Sequence, residues 1–135
     1  MQYLSGIHAL NLPCELVTCG DWHQSAIQWE RLNLLNSENS LFGNYGIELN
    51  KEVPRHTEVF NVANHIRALL DLLQQSKFSI ARGMNKDFIC NDTYMEEIFK
   101  KVTLMKNEEN WSAIDRFMGK EYFSKWLEYR KGRNL

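Results

Sequence analysis

Hydrophobic positions change their period partway along the chain. In the first fifty residues the apolar runs are short and alternate imperfectly. From Met1 to Leu12, Tyr3, Ile7 and Ala9 lie on one phase and Leu4, Leu10 and Leu12 on the other. For so short a run the period leaves a buried strand and a short helix both open. Pro13 closes it, because proline lacks a backbone N–H and biases Leu12 towards extended geometry. A second extended run, Glu15 to Thr18, is placed to pair with the first. Gly20-Asp21 reads as a turn, and Asp21 with Gln24 three residues on completes a capping box. Beyond it Trp22, Ala26, Trp29 and Leu32 fall at helical spacing, while Ile27, Trp29 and Arg31 alternate. The reading adopted is a strand for part of Ala26 to Leu32. Ser37 to Gly46 has loop composition. Ile47 to Leu49 reads as a short strand, and Pro54 marks the next boundary.

After residue 56 the spacing becomes helical. With Thr57 as its N-cap, a helix to Ser76 places Val59, Ala63, Ile66, Leu70 and Leu73 on one face, widened by Phe60, Val62 and Leu69. His65, Arg67 and Asp71 then fall on its polar side. Lys77 to Asn91 is less regular and is interrupted at Gly83. Asp92 or Thr93 caps a helix from Tyr94 to Met105. Trp111 to Met118 reads as a short helix ended by Gly119, and Glu121 to Arg130 as the last, with Tyr122, Phe123, Trp126, Leu127 and Tyr129 as its apolar set. The expected fold is therefore α+β: one mainly helical domain with a small N-terminal sheet or hairpin. Residues 1–50 form its strand- and loop-rich part and residues 57–131 its helical part.

Composition narrows the class of molecule. The chain has 135 residues, a one-domain length, with 44% apolar and 24% charged residues, ordinary for a water-soluble domain. No stretch approaches the roughly eighteen consecutive apolar residues of a membrane span. The first residues lack the basic start and apolar run of a secretory signal. With three cysteines, an odd number, this predicts a cytoplasmic protein with reduced thiols. Net charge is −1. That balance does not suggest the many phosphate contacts of a non-specific nucleic-acid binder.

Candidate chemistry is densest from Pro13 to Trp29 (PCELVTCGDWHQSAIQW). His8, Cys14, Cys19 and His23 are the candidate zinc ligands, since two thiolates and two imidazoles make a legitimate tetrahedral set. The cysteines lack a tight knuckle spacing, so no metal is the favoured expectation and zinc the alternative. A nucleophile reading takes Cys19 as the thiol, His23 as base and Asp21 as its orienting group. Gly20 works against it, because it breaks the helical turn that would join Cys19 to His23. The acidic first half also has the wrong sign for a thiolate. His65 reads as a satisfied histidine on a solvated helix face, and Cys90 as a core residue before a helix start. The C-terminal run KEYFSKWLEYRKGR interleaves cations with aromatics in the manner of single-strand binders. Its spacing also fits an amphipathic helix, which is the reading adopted. No phosphate-loop, dinucleotide, zinc-protease or serine-elbow motif occurs.

The strings YLSGIHALNLPC, CGDWH, NHIRALLDLL, KDFICNDTY and FMGKEYFSKWL together resemble small bacterial proteins of mobile-element or toxin–antitoxin-type loci. The resemblance implies a cytoplasmic protein that binds a co-encoded protein partner, as an antitoxin-like member of the pair, and carries over no catalytic residue. Trp22, Trp29, Phe42 and Tyr45 are the expected contact surface, because aromatic side chains anchor interfaces. The functional expectation is thus a protein-interaction module. Its alternative is a small enzyme or zinc protein built on cysteine, histidine and aspartate.

Overall fold

The computed structural model of the protein describes residues 1–20 and 27–135. Its organising element is a helix, α2 (His65–Gln74), buried along nearly its whole length. A helix buried on all sides has to be enclosed by other elements. On one side lies a four-stranded sheet of β1 (Gln2–Leu4), β2 (Leu34–Asn36), β3 (Ile47–Glu52) and β4 (Val59–Ala63), in the order β2-β1-β4-β3. β1 runs antiparallel to β2, pairing Tyr3 with Leu35, and parallel to β4, pairing Leu4 with Val62. β4 runs antiparallel to β3, with an irregularity between Glu48 and Lys51. The two inner strands bury Tyr3, Leu4, Val62 and Ala63. The edge strand β3 reads IELNKE, and such charged side chains discourage pairing with another chain.

The other neighbours of α2 are short helices. α1 (Gly6–Leu10) packs along it, and α3 (Phe78–Ala81) follows it. α4 (Met95–Thr103), α5 (Trp111–Tyr122) and α6 (Ser124–Gly132) complete the helical side. There Phe99 meets Tyr122, Trp126 and Tyr129 edge-on at 5.0, 5.2 and 5.2 Å between ring centres. Trp126 is fully buried, and its indole N–H donates to Asp115 Oδ1 at 2.8 Å. The architecture is the expected α+β domain. No helix among the described residues is long and apolar enough to cross a membrane.

Several local expectations give way. The first twelve residues are both of the open alternatives in turn, strand β1 and then helix α1. Glu15 to Thr18 pairs with no strand. Ile27 to Asn33 is irregular, and the strand begins at Leu34. The cap at Asp21 and the start of a helix at Trp22 lie outside the described residues. The helix expected from Thr57 is two elements. Val59 to Ala63 forms β4, because its β-branched and aromatic residues fit between β1 and β3 better than they fit a helix. The helix starts only at Asn64, which has extended backbone and whose side-chain Oδ1 accepts the Arg67 N–H at 2.9 Å. At its far end Ser76 adopts φ 61°, and the N–H groups of Ser76 and Lys77 return to Leu73 and Leu72, a Schellman closure.

Gly119 does not end α5, which runs through it to Tyr122; the chain turns at Phe123, with φ 52°. That turn brings Trp126 inward and leaves Phe123 and Leu127 61% and 57% exposed, against the expectation that both are core.

The supposed polar face of α2 is interior. Arg67 is fully buried, and all five of its N–H groups are directed at acceptors: Asp71 Oδ1, the carbonyls of Gly43 and Tyr45, Tyr3 Oη and Ser40 Oγ, at 2.7–3.1 Å. Asp71 in turn accepts from the hydroxyls of Tyr3 and Ser5, each at 2.7 Å. Enclosing α2 left these side chains no water, so they satisfy one another.

Candidate functional site

The stretch after α1 has no regular structure, so its backbone groups need partners elsewhere. Glu15 N–H donates to Glu48 Oε2 at 2.8 Å and Val17 N–H to Tyr94 Oη at 2.9 Å. Asn91 Nδ2 donates to Val17 O at 2.9 Å. The N–H groups of Cys19 and Gly20 both donate to Phe88 O at 3.0 Å. Finally Cys19 is bonded to Cys90, 71 residues away. The loop is thereby strapped across the start of α2, with a cleft of about 290 Å³ beneath it. Leu12, Pro13, Cys14, Thr18, Cys19 and His65 are among the residues lining the cleft.

His65 is the first residue of α2 and is 4% exposed. Its Nε2 lies 2.7 Å from Leu12 O and its Nδ1 2.6 Å from Thr18 Oγ1. A carbonyl oxygen can only accept, so Nε2 carries a proton. In the neutral ring Nδ1 then accepts from the Thr18 hydroxyl. That hydroxyl lies 3.9 Å from Cys14 Sγ, the free thiol among the described cysteines. Thiol, hydroxyl, imidazole and carbonyl therefore form a chain from the cleft into the interior.

Electrostatics favours moving the proton along that chain. Burial pushes the Cys14 thiol up, but hydrogen bonding to His65 and the charge of its ring outweigh this and hold the thiol below its ordinary value. Burial likewise pulls His65 down, while Cys14, the Leu12 carbonyl and the Glu48 carboxylate outweigh it and raise the ring above 6.5. The ionised pair is also fully bonded: an imidazolium donates to Leu12 O and Thr18 Oγ1, and the Thr18 hydroxyl turns towards the thiolate. The amino end of α2, where unpaired N–H groups gather, adds positive potential on the thiolate side.

The sequence-expected residues are scattered. Cys14 is in the site, but through Thr18 and His65. Cys19 lines the same cleft, yet its sulfur is engaged with Cys90, so neither is the reduced thiol expected. Asp21, Trp22 and His23 lie outside the described residues. His8, a candidate zinc ligand, is directed elsewhere: its Nε2 donates to Gln28 O at 3.0 Å and its ring meets Trp29 edge-on. Among the described residues no group of three or more histidines, cysteines or acids is arranged to hold a metal ion. Of the expected interface aromatics, Trp29 is half-buried against His8. Phe42 is core, beneath the Arg67 guanidinium at 5.4 Å. Tyr45 is half-buried, its hydroxyl on Glu97 and its ring under Lys101 at 4.1 Å. In the C-terminal run Tyr122 and Trp126 are buried and Arg133 covers Tyr129 at 3.9 Å, so these rings do not form an open stacking row.

Sequence reasoning missed Thr18 and His65 as partners of Cys14, and Cys90 as the partner of Cys19. Thr18 and His65 stand 47 residues apart, beyond any spacing rule. The Asn64 cap just before His65 was the one local signal, and the apparent helix from Thr57 hid it. No family model, curated protein or solved structure matches the chain.

Proposed function

We propose that this protein is a small thiol-dependent enzyme in which Cys14 is the nucleophile and His65 its base. The observation that carries the reading is the Thr18 hydroxyl standing between Cys14 Sγ and His65 Nδ1 at the wall of an open cleft. In the resting state the Cys14 thiol donates to Thr18 Oγ1 and the Thr18 hydroxyl donates to Nδ1. As an electrophile enters the cleft, the thiol proton passes through the hydroxyl to Nδ1. The thiolate attacks, and the imidazolium, steadied by Leu12 O, returns the proton to the leaving group. This is the division of labour of an activated nucleophile with an adjacent base.

Alkylation of the native protein tests the reading. Cys14 should react with iodoacetamide along a pH curve whose midpoint lies below that of an ordinary thiol, about 8.5. A midpoint at or above that value would end the proposal.

One observation favours the protein-partner reading and the antitoxin-like role that goes with the resemblance. Phe123, at the turn between α5 and α6, and Leu127 on α6 are exposed together beside Arg116, Lys120 and Arg130. A partner gripping that patch would co-purify with the wild type and be lost with Phe123→Ser. Co-purification indifferent to that substitution would remove this support.

A further inference from the structure

Cys14 and Cys19 share one cleft, and the Cys19–Cys90 bond closes it at an exposed edge. Only four residues separate Cys14 from Cys19, and Thr18, the relay hydroxyl of Cys14, is the direct neighbour of Cys19. Cys90 ends a six-residue π turn, Met84–Ile89, and sits at φ 45°, a left-handed conformation that non-glycine residues adopt under strain. π turns recur at functional sites. The free Cys14 thiol thus shares a cleft with one half of an exposed disulfide whose other half is held in strained backbone.

We infer that the three sulfurs form an exchange relay, in which the Cys14 thiolate attacks Cys19 Sγ. The inference rests on the reading of Cys14 as a nucleophile. The Cys14 Sγ–Cys19 Sγ bond forms as the Cys19 Sγ–Cys90 Sγ bond breaks. The electron pair leaves on Cys90 Sγ, which takes a proton from water, and the proton first lost by Cys14 rests on His65. One disulfide and one thiol stand on each side, so no outside oxidant or reductant is consumed. The step moves the thiol from the cleft to the surface and frees Cys90 to leave the left-handed conformation. The relay passes a thiol between a station in the cleft, Cys14, and an exposed one, Cys90. Exchange of this kind proceeds by thiolate attack in line with its protonation state.

Limiting N-ethylmaleimide on the native protein, followed by digestion without reduction and mass mapping, reads the relay directly. Roughly a tenth or more of labelled chains should carry the label on Cys90 together with a Cys14–Cys19 linkage, given exchange faster than capture. Raising the maleimide concentration should shift the label towards Cys14. Cys14→Ser should abolish labelling at every cysteine, and His65→Gln should lower Cys90 labelling about tenfold, as for loss of a general base. Label confined to Cys14 at every maleimide concentration overturns the relay and leaves the nucleophile standing. Label on Cys19 with a Cys14–Cys90 linkage overturns the assignment of the attacked sulfur. Slow labelling of Cys14 with an ordinary thiol midpoint overturns both readings.

Discussion

Two side chains of α2, two positions apart, have opposite consequences. His65 acts on reactivity. The thiolate is the reactive form, and His65 is what holds the Cys14 thiol down against the upward push of burial. Removing the ring takes away the largest of the effects that oppose burial. The alkylation midpoint of His65→Gln should rise well above that of the wild type, with the plateau rate at high pH little changed. Thr18→Val should raise the midpoint as well, because it removes the hydroxyl that joins thiol to ring. Arg67 acts on stability. Its guanidinium is enclosed and fully bonded, and Asp71 is its buried counter-ion. Arg67→Met should cost about 3–5 kcal/mol in urea unfolding, since it strands a buried carboxylate. Adding Asp71→Asn should recover part of that loss.

Two tight features set the elements. Gly46, at φ 72°, lies where a Cβ would stand 2.8 Å from Arg67 Cβ and 3.0 Å from Asn64 Oδ1. Its carbonyl accepts the Asn64 N–H at 2.7 Å. The chain between β2 and β3 therefore presses directly on the cap of α2, and hence on the start of the helix that carries His65. Gly46→Ala should destabilise the protein by roughly 1–3 kcal/mol, the cost of left-handed backbone plus overpacking. Trp126 is the second feature. It joins α4, α5 and α6 through Phe99, Trp111 and Asp115. Trp126→Ala should cost about 3–5 kcal/mol by the usual scale for large-to-small core changes, measured as a shift in the unfolding midpoint. The element-level error in reading residues 57–76 has the same physical root as these features. Val59 to Ala63 carries apolar residues compatible with either period. Whether they fold as strand or helix depends on the neighbours β1 and β3, which no local window contains.

The whole molecule is closed by its longest covalent link. Cys19 and Cys90 tie the loop over the cleft to the helical side across a separation of 71 residues. By loop entropy such a bond contributes about 4 kcal/mol at 25 °C. Reduction, or Cys90→Ser, should lower stability by that order in urea unfolding. The four backbone hydrogen bonds of residues 17–20 to Phe88, Asn91 and Tyr94 should keep the loop near its place. The Cys14 midpoint in the reduced protein should accordingly stay below that of an ordinary thiol, about 8.5. Disulfide and thiol–imidazole pair would then be separable: one holds the loop, the other activates it.

The sequence alone determined the α+β class and the helical second half. These follow from composition and local period, which act over a few residues. It also pointed correctly to Gly83 as an interruption. Only the tertiary structure decided that Asn64, and not Thr57, begins the central helix, that Arg67 and Asp71 face inward, and that Cys19 is bonded to Cys90 while Cys14 meets His65 through Thr18. Each of these depends on groups 4 to 71 positions apart being brought together when α2 is enclosed, and burial sets their partners and charge states only after that enclosure.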